Sequence, residues 1–247
     1  MTGDRFGTGA GRYDAARPAH PDDFIARLAA SLPDGSGVVL DVGAGTGILT
    51  RQLAAVLPAS SVVGLEPSEA MRAQAVEGGG PAYAAGRAEA LPLNDGAARA
   101  VVAGAAAHWF DRPAFYAEAA RVLVPGGVLA ILDYPRDEVG SRAAAAAEAF
   151  LRRFGAKAYV RPDYADELTR EAAFEVQEAL EVSVEDRLSL AAFAELILSS
   201  SHARAAETVL GEEGARKAIA DLAAELVEAD GCIAYGYRFR MTLARRA

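Results

Sequence analysis

Cysteine occurs once in the 247 residues, at Cys232, so no internal disulfide can form and a reducing, cytoplasmic setting is expected. Without partner residues, that lone thiol reads as a small half-buried side chain rather than a nucleophile. No spacing of Cys and His has the pattern of a zinc site, and no metal is expected. Long apolar runs are missing too: no low-charge stretch approaches a membrane span, and a membrane partner is not expected. The segment 1–11 is polar and Gly-rich, lacks the apolar core of a secretory signal, and is expected to be a mobile arm. Positive charge is in deficit. The 25 Lys and Arg against 34 Asp and Glu leave a net −9, with a pI near 5.0, which argues against binding an extended nucleic-acid backbone. A small-molecule substrate fits better, taken by a monomer or a homodimer.

What the chain does have is apolar residues, at 52%, enough for a real core at this length. From Val38 to Tyr134 strand and helix patterns alternate. Strands are expected at 38–42, 61–66, 81–86, 100–104 and 127–134, with helices at 47–57, 68–77 and 113–123 between them. Such alternation implies a parallel sheet covered by helices on both faces, with ligands beyond the carboxyl ends of the strands. Later, 138–154 reads as an alanine-rich helix. Residues 174–185 and 235–243 alternate as half-buried strands, and 190–201 and 203–229 are helical by pattern. With no repeat and no linker, the expectation is one domain over 1–247. Its parts are a binding core at 12–137, a helical segment at 138–173 and a helical cap at 187–232, inserted between the last two strands. The cap is expected to lie over the ligand end and to govern what binds there.

The densest signal is Val38-Val39-Leu40-Asp41-Val42-Gly43-Ala44-Gly45-Thr46-Gly47, an apolar strand that meets an acidic residue and then a loop with glycine at every second position. Glycine leaves the backbone bare where a ligand approaches. A dinucleotide fingerprint needs a further glycine where this chain has Ile48, which counts against a nicotinamide enzyme. Asp41 suits a cationic ligand, or else caps loop amides. Glu66 ends the second strand, 21 residues after Gly45, where a carboxylate can grip two ribose hydroxyls; an exposed strand end is expected for it. Ser68 can cap the next helix after Pro67, and Met71 either packs against a base or belongs to the core.

Together with Gly86-Arg87-Ala88-Glu89-Ala90-Leu91-Pro92, His108-Trp109-Phe110-Asp111 and Arg121-Val122-Leu123-Val124-Pro125-Gly126-Gly127, this loop resembles the class I S-adenosylmethionine (SAM) methyltransferases. Within them it is most similar to the methyltransferase type 11 group, in the branch of trans-aconitate-type small-molecule enzymes. The resemblance covers about 13–134. It implies a Rossmann-like α/β sandwich with a seven-stranded sheet whose last strand is antiparallel, SAM as cofactor, and S-adenosylhomocysteine (SAH) as product. It also implies cofactor contacts at Asp41, Gly43, Ala44, Gly45, Thr46, Glu66, Pro67 and Met71. Ala88 and Glu89 would lie near the adenine, although Arg87 stands where many relatives have aspartate. Ala105 would face the transferred methyl. Tyr13 and Arg17, four apart and so on one face if helical, belong to an entry segment in which His20 replaces a common tyrosine. Arg17 either forks onto the methionine carboxylate or is a surface residue.

The acceptor pocket is expected to involve His108, Trp109, Tyr134 and Ser201. His108 is either a general base or a wall, since an activated methyl donor leaves much of catalysis to alignment. Asp/Asn-Pro-Pro-aromatic, the mark of amino-methylating DNA enzymes, is absent after the fourth strand, as is the acidic cluster of magnesium-dependent catechol enzymes. The expected reaction is in-line methyl transfer to a small molecule, with oxygen (carboxylate or hydroxyl) favoured by family analogy. The alternatives are nitrogen or carbon as acceptor, or a SAM-binding protein of this fold without transfer.

Overall fold

Five short runs rich in Val, Leu and Ala form the parallel part of a single sheet in the computed structural model, which describes residues 17–35, 37–57, 61–155, 161–200 and 203–247. The strands are β1 (Val38–Val42), β2 (Ser61–Leu65), β3 (Ala82–Ala84), β4 (Ala98–Gly104) and β5 (Leu123–Asp133), joined later by β6 (Phe174–Leu188) and β7 (Ile233–Arg246). Their order across the sheet is β3-β2-β1-β4-β5-β7-β6. The first four pairings are parallel, while β7 runs antiparallel to both β5 and β6, as the family resemblance implies.

Both faces of the central strands are buried, because successive side chains point to opposite sides. Val39, Val102 and Ala130 face one core with Leu28 and Leu53. Leu40, Val101 and Leu129 face the other with Phe115 and Val122. The helices on the first face include α1 (Asp22–Ser31) and α2 (Ile48–Val56). The helix α3 (Glu69–Glu77) is capped by Ser68, whose hydroxyl accepts the Met71 amide. On the second face lies α4 (Arg112–Val122), capped by Asp111.

Three differences from the sequence reading have local causes. The helix α1 has no strong N-cap and follows Pro21 directly, yet it buries Phe24, Ile25 and Leu28 on one side. β5 starts four residues earlier than expected, at Leu123, and absorbs Pro125-Gly126-Gly127 as a register shift against β4. Arg17 lies in a bend, not a helix, so the helical spacing argued for it does not apply; Tyr13 is outside the described residues.

The antiparallel hairpin explains how the later helices are carried. Asp133, the last residue of β5, pairs with Arg240, so Ile233–Phe239 of β7 run past the carboxyl end of β5, paired along their length with β6 and bridged at Tyr237 to Arg136. On that projection pack α5 (Arg142–Arg153), α7 (Leu190–Leu198) and α8 (Ala203–Leu226), the last broken at Gly211, where φ is 73°. The short α6 (Tyr164–Leu168) covers the opposite face. Phe193, Ile197 and Ile219 are spent on this packing. No helix among the described residues is long and apolar enough to cross a membrane.

Candidate functional site

The carboxyl ends of β1, β2, β4 and β5 open into one cleft with about 880 Å³ of empty space, part of it continuous with solvent. The loop after β1 forms its floor. Gly43 and Gly45 have φ of 72° and 57°, the left-handed region that side chains resist. A Cβ on Gly43 would stand 2.6 Å from the Cβ of Ala106, so the bare backbone there allows β1 and β4 to close up. Gly45 differs: a Cβ would meet nothing within 4 Å and would project into the cleft.

Two carboxylates hold this loop. Glu66 is only 8% exposed, contrary to the exposed strand end expected from sequence. One of its oxygens accepts the Gly45 amide at 3.0 Å and the other accepts the Ser68 amide at 2.8 Å. The chain therefore folds back on Glu66 from both sides, because loop and helix start each leave an amide without a backbone partner. Glu66→Ala should weaken SAM binding by about 1.5–3 kcal/mol and also lower the melting temperature. Glu66→Gln, which keeps one acceptor oxygen, should recover stability more than affinity. Equal SAM affinity by calorimetry in Glu66→Ala and the parent would remove the ribose assignment.

Asp41 is fully buried at the end of β1. One oxygen accepts the Thr50 hydroxyl at 2.6 Å, while Oδ1 has no hydrogen-bond partner among the described residues. Burial pushes its pKa up to about 7; the Thr50 bond opposes this and the nearby Glu66 adds to it. An orphaned carboxylate oxygen facing a cleft is an open place for a cationic group.

Of the residues singled out in the sequence, Asp41, Gly43, Ala44, Gly45, Thr46, Glu66, Pro67, Met71, Ala105, Trp109 and Tyr134 all line this cleft. Ala105 has φ of 50°, the positive value among described non-glycine residues, at the exit of β4. Others stand elsewhere. Ala88 spends its methyl in the core beneath β2, and the Glu89 carboxylate accepts the Asp111 amide at 3.0 Å, so neither lines the cleft. Arg17 is also absent from the lining; its charge acts on Arg136 and Tyr235. Ser201 lies outside the described residues, and no described residue of α7 or α8 reaches the cleft wall.

His108 sits on a 3-10 turn (Ala107–Trp109) with its ring against Trp109 at 4.9 Å, and is not in the lining. Its Nδ1 is 3.1 Å from a guanidinium nitrogen of Arg161, which is itself paired with Asp133 at the end of β5. Arginine can only donate, so Nδ1 accepts and the proton resides on Nε2. That tautomer offers a donor, not a base. His108→Ala should therefore raise the acceptor KM, lower kcat by less than about tenfold and leave the pH profile unchanged in shape. A larger turnover loss, rescued at high pH, would reinstate the base.

Sequence reasoning noted His20 and quoted Phe110 within a motif but gave neither a role, and it assigned none to Pro18 and Leu49. All four line the cleft. The signal available was weak: a histidine between Pro18 and Pro21, which pin the local backbone. Among the described residues no cluster of His, Cys, Asp and Glu has the makings of a metal site.

Comparison with known proteins places these features in company. Residues 40–131 match the family model described as a methyltransferase domain. An uncharacterised methyltransferase of Mycobacterium tuberculosis is 39% identical over 135 residues, 54% of this chain and 53% of the relative. The chain thus spans about half the length of the curated relatives it matches. A proposed type II methyltransferase from Anaeromyxobacter dehalogenans superposes with a TM-score of 0.73 at 25% identity, over 93% of this chain and 97% of that one. Geranyl diphosphate C-methyltransferase from Streptomyces coelicolor, solved with SAH, shares the fold alone, with a TM-score of 0.53 at 15% identity over 91% and 79%.

Proposed function

The chain carries a class I SAM-dependent methyltransferase domain, and from that premise we propose that it methylates an oxygen of a small-molecule acceptor. The observation that carries this reading is the cleft floor: a glycine loop open at Gly45, beside a buried Asp41 oxygen without a partner. SAM supplies a methyl already activated by its sulfonium, together with an ammonium group and a ribose. Asp41 would meet the positive end, Glu66 the ribose hydroxyls, and Met71 with Pro67 the apolar face of the base. The loop backbone at Gly45 and Thr46 would pass beneath the methionine chain.

The same geometry leaves the exits of β4 and β5 for the acceptor. Trp109, Phe110 and Tyr134 form that part of the wall, an apolar surface that excludes water from the reacting pair. Alignment of an oxygen behind the methyl, with the leaving sulfur in line, is the contribution such walls make. A small acceptor suits a concave cleft of this size better than a polymer does.

Two measurements test this. Calorimetry should show SAM and SAH binding to one site. Methyl-labelled SAM, incubated with the protein and a small-molecule cell extract, should pass label to a product whose new bond is carbon to oxygen. Tight SAM binding with no labelled product would make this a binding protein of methyltransferase fold, and label on nitrogen or carbon would overturn the oxygen assignment.

A further inference from the structure

His20 is a polar group in the cleft that the cofactor reading leaves unused. It is 5% exposed, lines the cleft, and its Nδ1 is buried without a hydrogen-bond partner among the described residues. An unpartnered ring nitrogen in such a place costs free energy unless something binds it. The residue is held firmly for that purpose. Its amide donates to the Gln52 side chain at 3.1 Å, and its carbonyl accepts from the same side chain at 2.8 Å. The ring meets Tyr134 edge-on at 5.6 Å and Phe239 at 6.0 Å. Its Nε2 lies against the carboxyl end of β4, 3.1 Å from where a Cβ on Gly104 would stand. That is one residue from Ala105, at the part of the wall assigned above to the acceptor.

We propose that His20 is the catalytic residue that binds the acceptor's reactive hydroxyl and takes its proton during methyl transfer, so that the acceptors are neutral molecules bearing an O–H. This deepens the methyl-transfer reading and rests on it. In the step, the methyl carbon bonds to the acceptor oxygen and the carbon–sulfur bond breaks, its electron pair staying on sulfur. The hydroxyl proton moves to the imidazole and from there to solvent. The products are a methyl ether, SAH and one proton. One positive charge leaves sulfur as one appears on the ring, so the buried site carries the same net charge before and after.

Protonation suits the role. Burial alone lowers the pKa of His20 to about 4; the described groups against the ring, Tyr134, Phe239 and Gly104, carry no charge. The ring is therefore bare at neutral pH. A weak base suffices because an oxygen that has gained a methyl while keeping its proton is far more acidic than an imidazolium. The cleft also disfavours the other oxygen acceptor, a carboxylate. Among the described lining residues the charged side chains are Asp41 and Glu66, both acidic, so an anionic acceptor would enter against like charge.

The test uses His20→Phe, which keeps the ring packing, and His20→Asn, which keeps an acceptor atom near Nδ1 without a base. SAH binding by calorimetry should stay close to that of the parent in both. With the acceptor that takes label from methyl-labelled SAM, His20→Phe should lose about 10²–10⁴-fold in kcat. His20→Asn should recover KM but not kcat, and the product should be a methyl ether. Label in the parent with His20→Phe equally active, or a methyl ester as product, would overturn the assignment of His20 alone. No label in the parent would overturn the methyl-transfer reading and this one with it. If neither variant folds, nitrogen-15 histidine spectra of the SAH-bound parent decide: adding the labelled acceptor should move the His20 ring nitrogens, and unmoved signals would refute the role.

Discussion

Asp41→Asn should make the ligand-free protein more stable at pH 8 while weakening its hold on SAM by about ten- to a hundredfold, the loss that goes with one hydrogen bond to a charged group. Both effects come from the same buried carboxyl. Its pKa is raised from 3.8 to about 7 by burial, so the folded protein binds this proton more tightly than the unfolded chain does. The stability it contributes is complete below pH 4 and is lost as pH rises through 7. His20 acts in the opposite sense. With a pKa lowered to about 4, it contributes stability that is present above pH 6.5 and lost as pH falls. The stability curve of the parent therefore mixes the two, and the difference between parent and Asp41→Asn isolates Asp41. That difference should be small at pH 4 and grow to on the order of 2 kcal/mol at pH 8, a discounted share of the roughly 1.4 kcal/mol per pKa unit. Ligand binding supplies a second check. A cation beside Asp41 stabilises the ionised form, so SAM affinity should rise from pH 5.5 to 7.5 and binding should release protons. Calorimetry in buffers of different ionisation enthalpy reads that release. Flat affinity with no proton release would place the cation elsewhere.

Gly45→Val should abolish SAM and SAH binding while the protein still folds. Backbone strain comes first: φ of 57° costs a residue with a Cβ roughly 1–2 kcal/mol, and a β-branched one more. Space then makes the effect selective. In the ligand-free protein the added Cβ meets nothing within 4 Å, so no core contact is disturbed, but the whole side chain stands where the methionine chain would run. Gly43→Ala should behave in the reverse way. Its Cβ would lie 2.6 Å from Ala106, inside the packing of β1 against β4, so stability falls before binding does. Thermal unfolding with and without SAH separates the pair. A folded Gly45→Val that gains stability from SAH as the parent does would show that the loop is structural and refute the site.

The sequence alone determined the alternating core, the glycine loop and the position of Glu66 at the end of β2, because each is written within a few neighbouring residues. Periodicity over five to ten positions decides strand or helix, and a bare backbone between them is a local property. It also determined the antiparallel final strand, through resemblance rather than through periodicity. What the tertiary structure decided depends on residues far apart in the chain. His20 is fixed by Gln52, 32 positions away. His108 has its tautomer set by Arg161, 53 positions away. Glu66 is buried because a loop 21 positions earlier donates to it. Protonation belongs to the same class: Asp41 and His20 take opposite shifts since each is stripped of water, and burial is a sum over the whole fold. The inserted helices make the point from the other side. Their pattern in the sequence was plain, but whether they wall the cleft depended on which surface Phe193, Ile197 and Ile219 buried. They pack on the projecting hairpin and α5, where apolar area was available.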